Sequence, residues 1–124
     1  MAVIQVLIVD DVAQVRQDLC TLMRLAGGIE VVGEAANGLE ALGQVEALHP
    51  EVVLMDLEMP VLDGYEATRQ IKCRYPACRV VALTVHGYEQ ARQKALQAGA
   101  DDFIIKGAPL EILVRAIEEK STYF

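Results

Sequence analysis

Two apolar runs in this sequence end on carboxylates. "VLIVDD" leads from Val6 into Asp10 and Asp11. "VVLMDLEMPVLDG" leads from Val52 into Asp56, then into a loop that closes on Asp63-Gly64. Two later runs end on Thr84 and Lys106. If all four runs are strands of one parallel sheet, these residues share its C-terminal edge. Ligands of open α/β sheets bind there, where the strand order reverses. Three carboxylates, a hydroxyl and an ammonium would then converge. Carboxylates held together repel: at about 4 Å and an effective dielectric of 20, each pair costs roughly 4 kcal/mol. A proton, a cation or both must offset this. An all-oxygen donor set selects a hard ion such as Mg²⁺, which keeps some of its waters. Such an ion, with a lysine and a hydroxyl, forms a receptor for a phosphoryl group. A carboxylate beside it can act as nucleophile and take that group as an acyl phosphate.

Taken singly, each of these residues has a plainer role. Asp11 can cap a helix, with Gln14 as its partner. Asp63-Gly64 can be only a turn. Thr84 and Lys106 can be a strand-end residue and a solvated charge, and a strand-ending Asp is commonly a loop residue. Their joint occurrence at successive strand ends is what these roles leave unexplained. Glu58 and His86 lie two residues beyond Asp56 and Thr84, so both side chains can reach the mouth of the crevice. Thr84 and Lys106 belong to the strands farther from Asp10 and Asp11. That placement sets them apart from the two carboxylates where a cation would sit.

The elements that must position these groups follow from the apolar periods. Strands are expected at Val3 to Val9, Ile29 to Ala35, Val52 to Met55, Arg79 to Thr84 and Phe103 to Ile105. Between them, apolar residues recur at helical spacing. Val12, Val15, Leu19, Leu22, Met23 and Ala26 form the first helical stripe, stopped by Gly27-Gly28. Asn37 is the expected N-cap of the second helix, with Glu40 completing a capping box; His49-Pro50 ends it. A third helix runs from about Tyr65 to Tyr75 and stops before Pro76. The fourth carries Tyr88, Ala91, Ala95 and Ala98 and is capped by Gly99. The fifth carries Leu110, Leu113, Val114 and Ile117, with Pro109 in its first turn. Strict alternation of strands and helices predicts a parallel sheet covered on both faces, with right-handed crossovers.

A chain of 124 residues fits one domain. Aromatics are only 5% of it, with no Trp, so the core is aliphatic, as a parallel sheet requires. Eleven basic against 18 acidic residues leave a net charge of −7. That opposes nucleic-acid binding by this domain, and opposes an anionic membrane surface. Cys20, Cys73 and Cys78 read as free thiols in a reducing cytosol. No apolar stretch approaches a bilayer span, and a cytoplasmic protein is expected. Residues 1–120 are expected to form the domain, with 121–124 a tail or the start of a linker.

The acidic pair Asp10-Asp11, "MDLEMPVLDG" around Asp56, "ALT" ending at Thr84 and "GADDFIIK" ending at Lys106 resemble the receiver domain of two-component response regulators. The resemblance covers essentially the whole chain. It implies a flavodoxin-like, doubly wound (βα)5 fold of strand order 2-1-3-4-5. It implies that Asp56 accepts the phosphoryl group from a sensor histidine kinase or phosphotransfer protein. Asp11 would be a direct Mg²⁺ ligand, Asp10 would act largely through water, and Glu58 would contribute its backbone carbonyl. Lys106 would pair with the carboxylate and then with the phosphoryl group. Thr84 and Phe103 would be the switch pair, and Glu58 and His86 would tune the lifetime of the phosphorylated state. The face formed by the fourth helix, fifth strand and fifth helix would signal to an output domain, an effector or a second copy in a phosphorylation-dependent homodimer. "KGAPLEIL" is similar to receivers that precede helix-turn-helix output domains. Two positions depart from the common pattern. Gly107 follows Lys106 where Pro is frequent, which removes the proline discount on a cis bond. Phe103 replaces the equally familiar Tyr, so an aromatic switch here works by burial alone.

Three rival readings fit the sequence less well. A flavodoxin-like electron carrier needs a hydroxyl- and glycine-rich phosphate loop, and "DDVAQ" is acidic there. A small Mg²⁺-dependent phosphatase using Asp56 usually adds a cap domain, for which the chain has little room. A phosphorylation-independent interaction domain is expected to lack one of Asp56, Asp11 or Lys106, and all three are present.

Overall fold

The computed structural model describes residues 3–119. The expected boundary at residue 120 and the 121–124 tail lie outside the described residues. The elements alternate as expected: β1 (Ile4–Val9), α1 (Ala13–Ala26), β2 (Ile29–Ala35), α2 (Gly38–Leu48), β3 (Val52–Asp56), α3 (Gly64–Arg74), β4 (Arg79–Thr84), α4 (Glu89–Gln97), β5 (Asp102–Ile105) and α5 (Leu110–Glu118). All strand pairs are parallel, in the order β2-β1-β3-β4-β5. This is the doubly wound, flavodoxin-like arrangement expected from the sequence.

The central strands are apolar on consecutive residues because both faces of the sheet are covered. Side chains alternate between faces. Val6, Ile8, Leu54, Val81 and Leu83 pack with Cys20 and Met23 of α1 and Leu113 and Ile117 of α5. Leu7, Val9, Val53, Met55 and Val80 pack with Ala41 and Val45 of α2 and Ala67 and Ile71 of α3. A third, smaller cluster joins Leu57, Ala82 and Ala100 to Ala95 of α4, with Tyr65 and Phe103 at its margin.

Local signals set the element ends. Asn37 accepts a hydrogen bond from the Glu40 N–H at 2.9 Å, and Glu40 Oε1 accepts one from the Ala36 N–H at 2.9 Å. His49 takes a left-handed conformation (φ 47°) that ends α2. Several expectations shift. Val12, not Asp11, is the N-cap of α1, and no side chain caps it. Asp10 Oδ1 accepts the Val12 N–H at 2.9 Å instead, because the buried Asp10 is the carboxylate turned toward the helix start. Asp63-Gly64 is more than a turn: the Asp63 carboxylate caps α3 by accepting the Glu66 N–H at 2.9 Å. Pro109 is the N-cap of α5 rather than a residue of its first turn. Val12 and Leu22 of the predicted α1 stripe are exposed, because Cys20 and Met23 fill the interface with the sheet.

Candidate functional site

Register brings the strand-end residues together. Val9 pairs with Met55 and Asp56 pairs with Leu83, so Asp10 and Asp56 emerge side by side at the C-terminal edge. Thr84 pairs with Ile105, and the next residue is Lys106, whose N–H donates to the Thr84 carbonyl at 2.8 Å. Asp10, Asp56 and Thr84 are buried polar side chains, whereas Asp11 is exposed.

One oxygen each from Asp10, Asp11 and Asp56 lies within 4.8 Å of the others. Lys106 Nζ reaches into the cluster, 2.7 Å from Asp10 Oδ2 and 3.1 Å from Asp56 Oδ1. Lys106 therefore sits among the carboxylates as expected, although it belongs to a strand farther from Asp10. Its long side chain reaches both carboxylates and pairs most closely with Asp10. The ammonium supplies part of the positive charge that three carboxylates require. Burial pushes the Asp56 carboxyl up to about 6, with the Asp10 charge adding to the rise and Lys106 opposing it. Burial disfavours the Lys106 ammonium, but hydrogen bonding to Asp10 and attraction by Asp56 outweigh it and raise its pKa. Three carboxylate oxygens at this separation, one on an exposed residue open to water, fit a hard divalent cation that retains part of its hydration shell.

The rim is built from two loops. Glu58 Oε1 in the β3–α3 loop faces His86 Nε2 in the β4–α4 loop at 3.3 Å, and both side chains are substantially exposed. The His86 ring stacks on Tyr88, with centroids 5.4 Å apart and planes 9° apart. Thr84 Oγ1 accepts the His86 N–H at 3.0 Å, which ties the hydroxyl to the start of this loop. Phe103 is half-buried against the small cluster beneath α4. The peptide bonds among the described residues are trans, and Gly107 makes the turn after Lys106 with φ 92°, a conformation open to glycine.

Three contributions were not read from the sequence. Gly64 lies against the backbone at the end of β3: its N–H donates to the Leu57 carbonyl at 3.0 Å, and a Cβ there would come within 2.0 Å of the Asp56 carbonyl oxygen. Tyr88, assigned to a helix face, stacks on the rim. Arg16 Nη1 donates to the Asp10 carbonyl at 2.6 Å and Nε to Glu34 Oε1 at 3.2 Å. The available signal for Arg16 was an arginine in the first turn of a helix, where the helix dipole disfavours a cation.

Residues 6–118 match the response regulator receiver domain family model. The chain belongs to that family. Response regulator GacA from Pseudomonas viridiflava is 42% identical over 114 residues, which cover 92% of this chain and 53% of that protein. This receiver chain therefore spans about half the length of that curated relative. Among solved structures, a LuxR-family two-component response regulator from Aurantimonas sp. superposes with a TM-score of 0.89 at 35% identity, covering 94% of this chain and 84% of that one. CheY of Borrelia burgdorferi, solved in complex with CheX, BeF₃ and Mg²⁺, superposes with a TM-score of 0.84 at 28% identity over 92% of this chain and 86% of that one.

Proposed function

We propose that this receiver is a phosphorylation-activated switch in which Asp56 takes a phosphoryl group from the phosphohistidine of a sensor kinase or phosphotransfer protein. The supporting observation is the convergence of Asp10, Asp11 and Asp56 with Lys106 Nζ bridging two of them. In the reaction an Asp56 oxygen attacks phosphorus, the P–N bond breaks, and the donor imidazole leaves with the electron pair. Asp11, Asp56 and the Glu58 backbone carbonyl would hold Mg²⁺, with Asp10 acting through water. The ion, when bound, offsets the charge on the phosphoryl oxygens. Lys106 turns from the carboxylates to a phosphoryl oxygen. The B. burgdorferi relative, solved with BeF₃ and Mg²⁺, supports a part for the ion by likeness.

Thr84 and Phe103 carry the response. The Thr84 hydroxyl turns toward the phosphoryl group, Phe103 moves into the space vacated, and the α4–β5–α5 face changes shape. Receiver domains are signalling switches, and on this reading the chain catalyses only its own phosphorylation and dephosphorylation. The listener is an output domain, an effector or a second copy in a phosphorylation-dependent homodimer. Likeness to a LuxR-family regulator and to GacA, about twice as long, favours an output domain that controls transcription. The acidic balance argues that this domain itself does not bind nucleic acid. Among the described residues no helix is long and apolar enough to cross a membrane; the proposed location is the cytoplasm. Glu58 and His86 tune the lifetime of the acyl phosphate.

The decisive experiment is intact-mass analysis after incubation with a small phosphodonor, with and without Mg²⁺. Wild type gains one phosphoryl group only with the ion, and Asp56→Asn gains none. An adduct of wild-type extent in Asp56→Asn would remove Asp56 as acceptor.

A further inference from the structure

We propose that Arg16 is a positioning residue for the metal-binding loop, fixing the Asp10–Asp11 peptide plane and so the approach of Asp11 to the ion. The inference rests on the metal reading above.

Arg16 is placed where an arginine is not expected, in the first turn of α1, at the positive end of the helix dipole. Its side chain is only 19% exposed. The guanidinium is held in a fork, with Nη1 on the Asp10 carbonyl at 2.6 Å and Nε on Glu34 Oε1 at 3.2 Å. This joins the start of α1 to the loop after β1 and to the end of β2. The remaining polar groups of Asp10 are also committed. Its N–H donates to the Ala35 carbonyl at 3.0 Å, Oδ1 accepts the Val12 N–H at 2.9 Å, and Oδ2 accepts Lys106 Nζ at 2.7 Å. The Asp10 carbonyl and the Asp11 N–H belong to one planar peptide unit. Gripping the carbonyl fixes the plane that carries the Asp11 Cα, and the Val12 N–H held by Asp10 Oδ1 fixes the next plane, so together the two set the direction in which the Asp11 side chain leaves the backbone. Asp11 is the exposed member of the cluster, so its aim depends on the peptide that carries it. The planar fork of an arginine can bridge carbonyl and carboxylate with fixed geometry, and a lysine ammonium cannot reproduce it.

Charge and positioning predict opposite signs. A cation beside the site repels a second cation, so if Arg16 acted only as a charge, Arg16→Ala would tighten Mg²⁺ binding. If it positions Asp11, the same substitution loosens binding, as loss of outer-sphere partners does, by roughly 10–100-fold.

Calorimetric Mg²⁺ titrations of wild type, Arg16→Ala, Arg16→Lys, Glu34→Gln and Asp11→Asn test this. Arg16→Ala should bind more weakly, with Arg16→Lys and Glu34→Gln between it and wild type. In small-phosphodonor assays the Mg²⁺ concentration for half-maximal rate should rise, while the rate at saturating Mg²⁺ returns close to wild type. A variant that merely lost structure would fall short at every concentration. Unchanged or tighter Mg²⁺ binding in Arg16→Ala overturns the inference. Should that variant not fold, wild-type affinity in both Arg16→Lys and Glu34→Gln overturns it. Equal affinity of wild type and Asp11→Asn overturns instead the metal reading on which it stands.

Discussion

At the scale of the residue, the site is a problem of charge. Asp56 is 4% exposed and shares its pocket with Asp10, and burial pushes its carboxyl from 3.8 up to about 6. The sign of the linkage follows from proton counting. Between about pH 4 and pH 6 the folded state binds this proton more tightly than the unfolded chain. Stability therefore falls as pH rises through that window, and the carboxylate form is a burden above it. In EDTA, Asp56→Asn should be more stable than wild type at pH 7, by on the order of 1–3 kcal/mol. The advantage should shrink toward pH 4. Denaturant unfolding of both proteins at several pH values measures the gap. A gap that does not change with pH would mean that Asp56 carries no such burden. The same burden explains why Lys106 is shared between Asp10 and Asp56.

At the scale of the element, rigid strands hold the carboxylate and loops bring the remaining groups to it. The β3–α3 loop can turn so closely under Asp56 because Gly64 has no Cβ, and the Asp63 cap starts α3 at once. The β4–α4 loop then meets the β3–α3 loop through Glu58 and His86, with Tyr88 stacked behind. On the proposed function, this contact stands at the mouth of the crevice where water would approach the acyl phosphate. Glu58→Ala and His86→Ala each break the same contact, so each should shorten the acyl-phosphate half-life, by roughly tenfold, or about 1.4 kcal/mol in barrier. The double variant should decay no faster than the quicker single one, because coupled residues are not additive. Autodephosphorylation kinetics check this. Unchanged half-lives in both single variants would leave the pair as solvated rim groups.

At the scale of the whole molecule, the helices are unequally bound to the sheet. α1 and α5 bury Met23, Leu113 and Ile117 on one face, and α2 and α3 bury Val45 and Ile71 on the other. Among the described residues of α4, only Ala95 is fully buried, and Lys94 reaches across to the Tyr65 ring at 4.2 Å from its centroid. A helix with so little apolar burial is the one that can be repacked most cheaply. Phe103 packs against the cluster beneath it, half-buried. Thr84→Ala and Lys106→Ala should still accept phosphoryl to some extent, while the phosphorylation-dependent change in amide resonances around Phe103 and along α4 shrinks. Full-sized spectral responses in both variants would sever the proposed route from site to surface.

The sequence by itself determined the order and kind of the elements, since apolar runs of two periods leave little freedom about what is strand and what is helix. It also placed Asp10, Asp11, Asp56, Thr84 and Lys106 at strand ends, because a polar residue closing an apolar run is visible without coordinates. Asn37 and Glu40 were legible as a cap for the same reason: the signal is local. Tertiary structure alone decided which of these residues touch. Lys106 lies 96 positions from Asp10 yet hydrogen-bonds to it, and no local pattern encodes that reach. It also decided that Asp10 rather than Asp11 turns toward the start of α1, through the burial of one carboxylate and the exposure of the other. Gly64, Tyr88 and Arg16 stayed hidden because each acts on a neighbour from another segment. Gly64 acts by the absence of a Cβ against Asp56, Tyr88 by stacking on His86, and Arg16 by spanning two backbone segments that meet only when β1 and β2 pair.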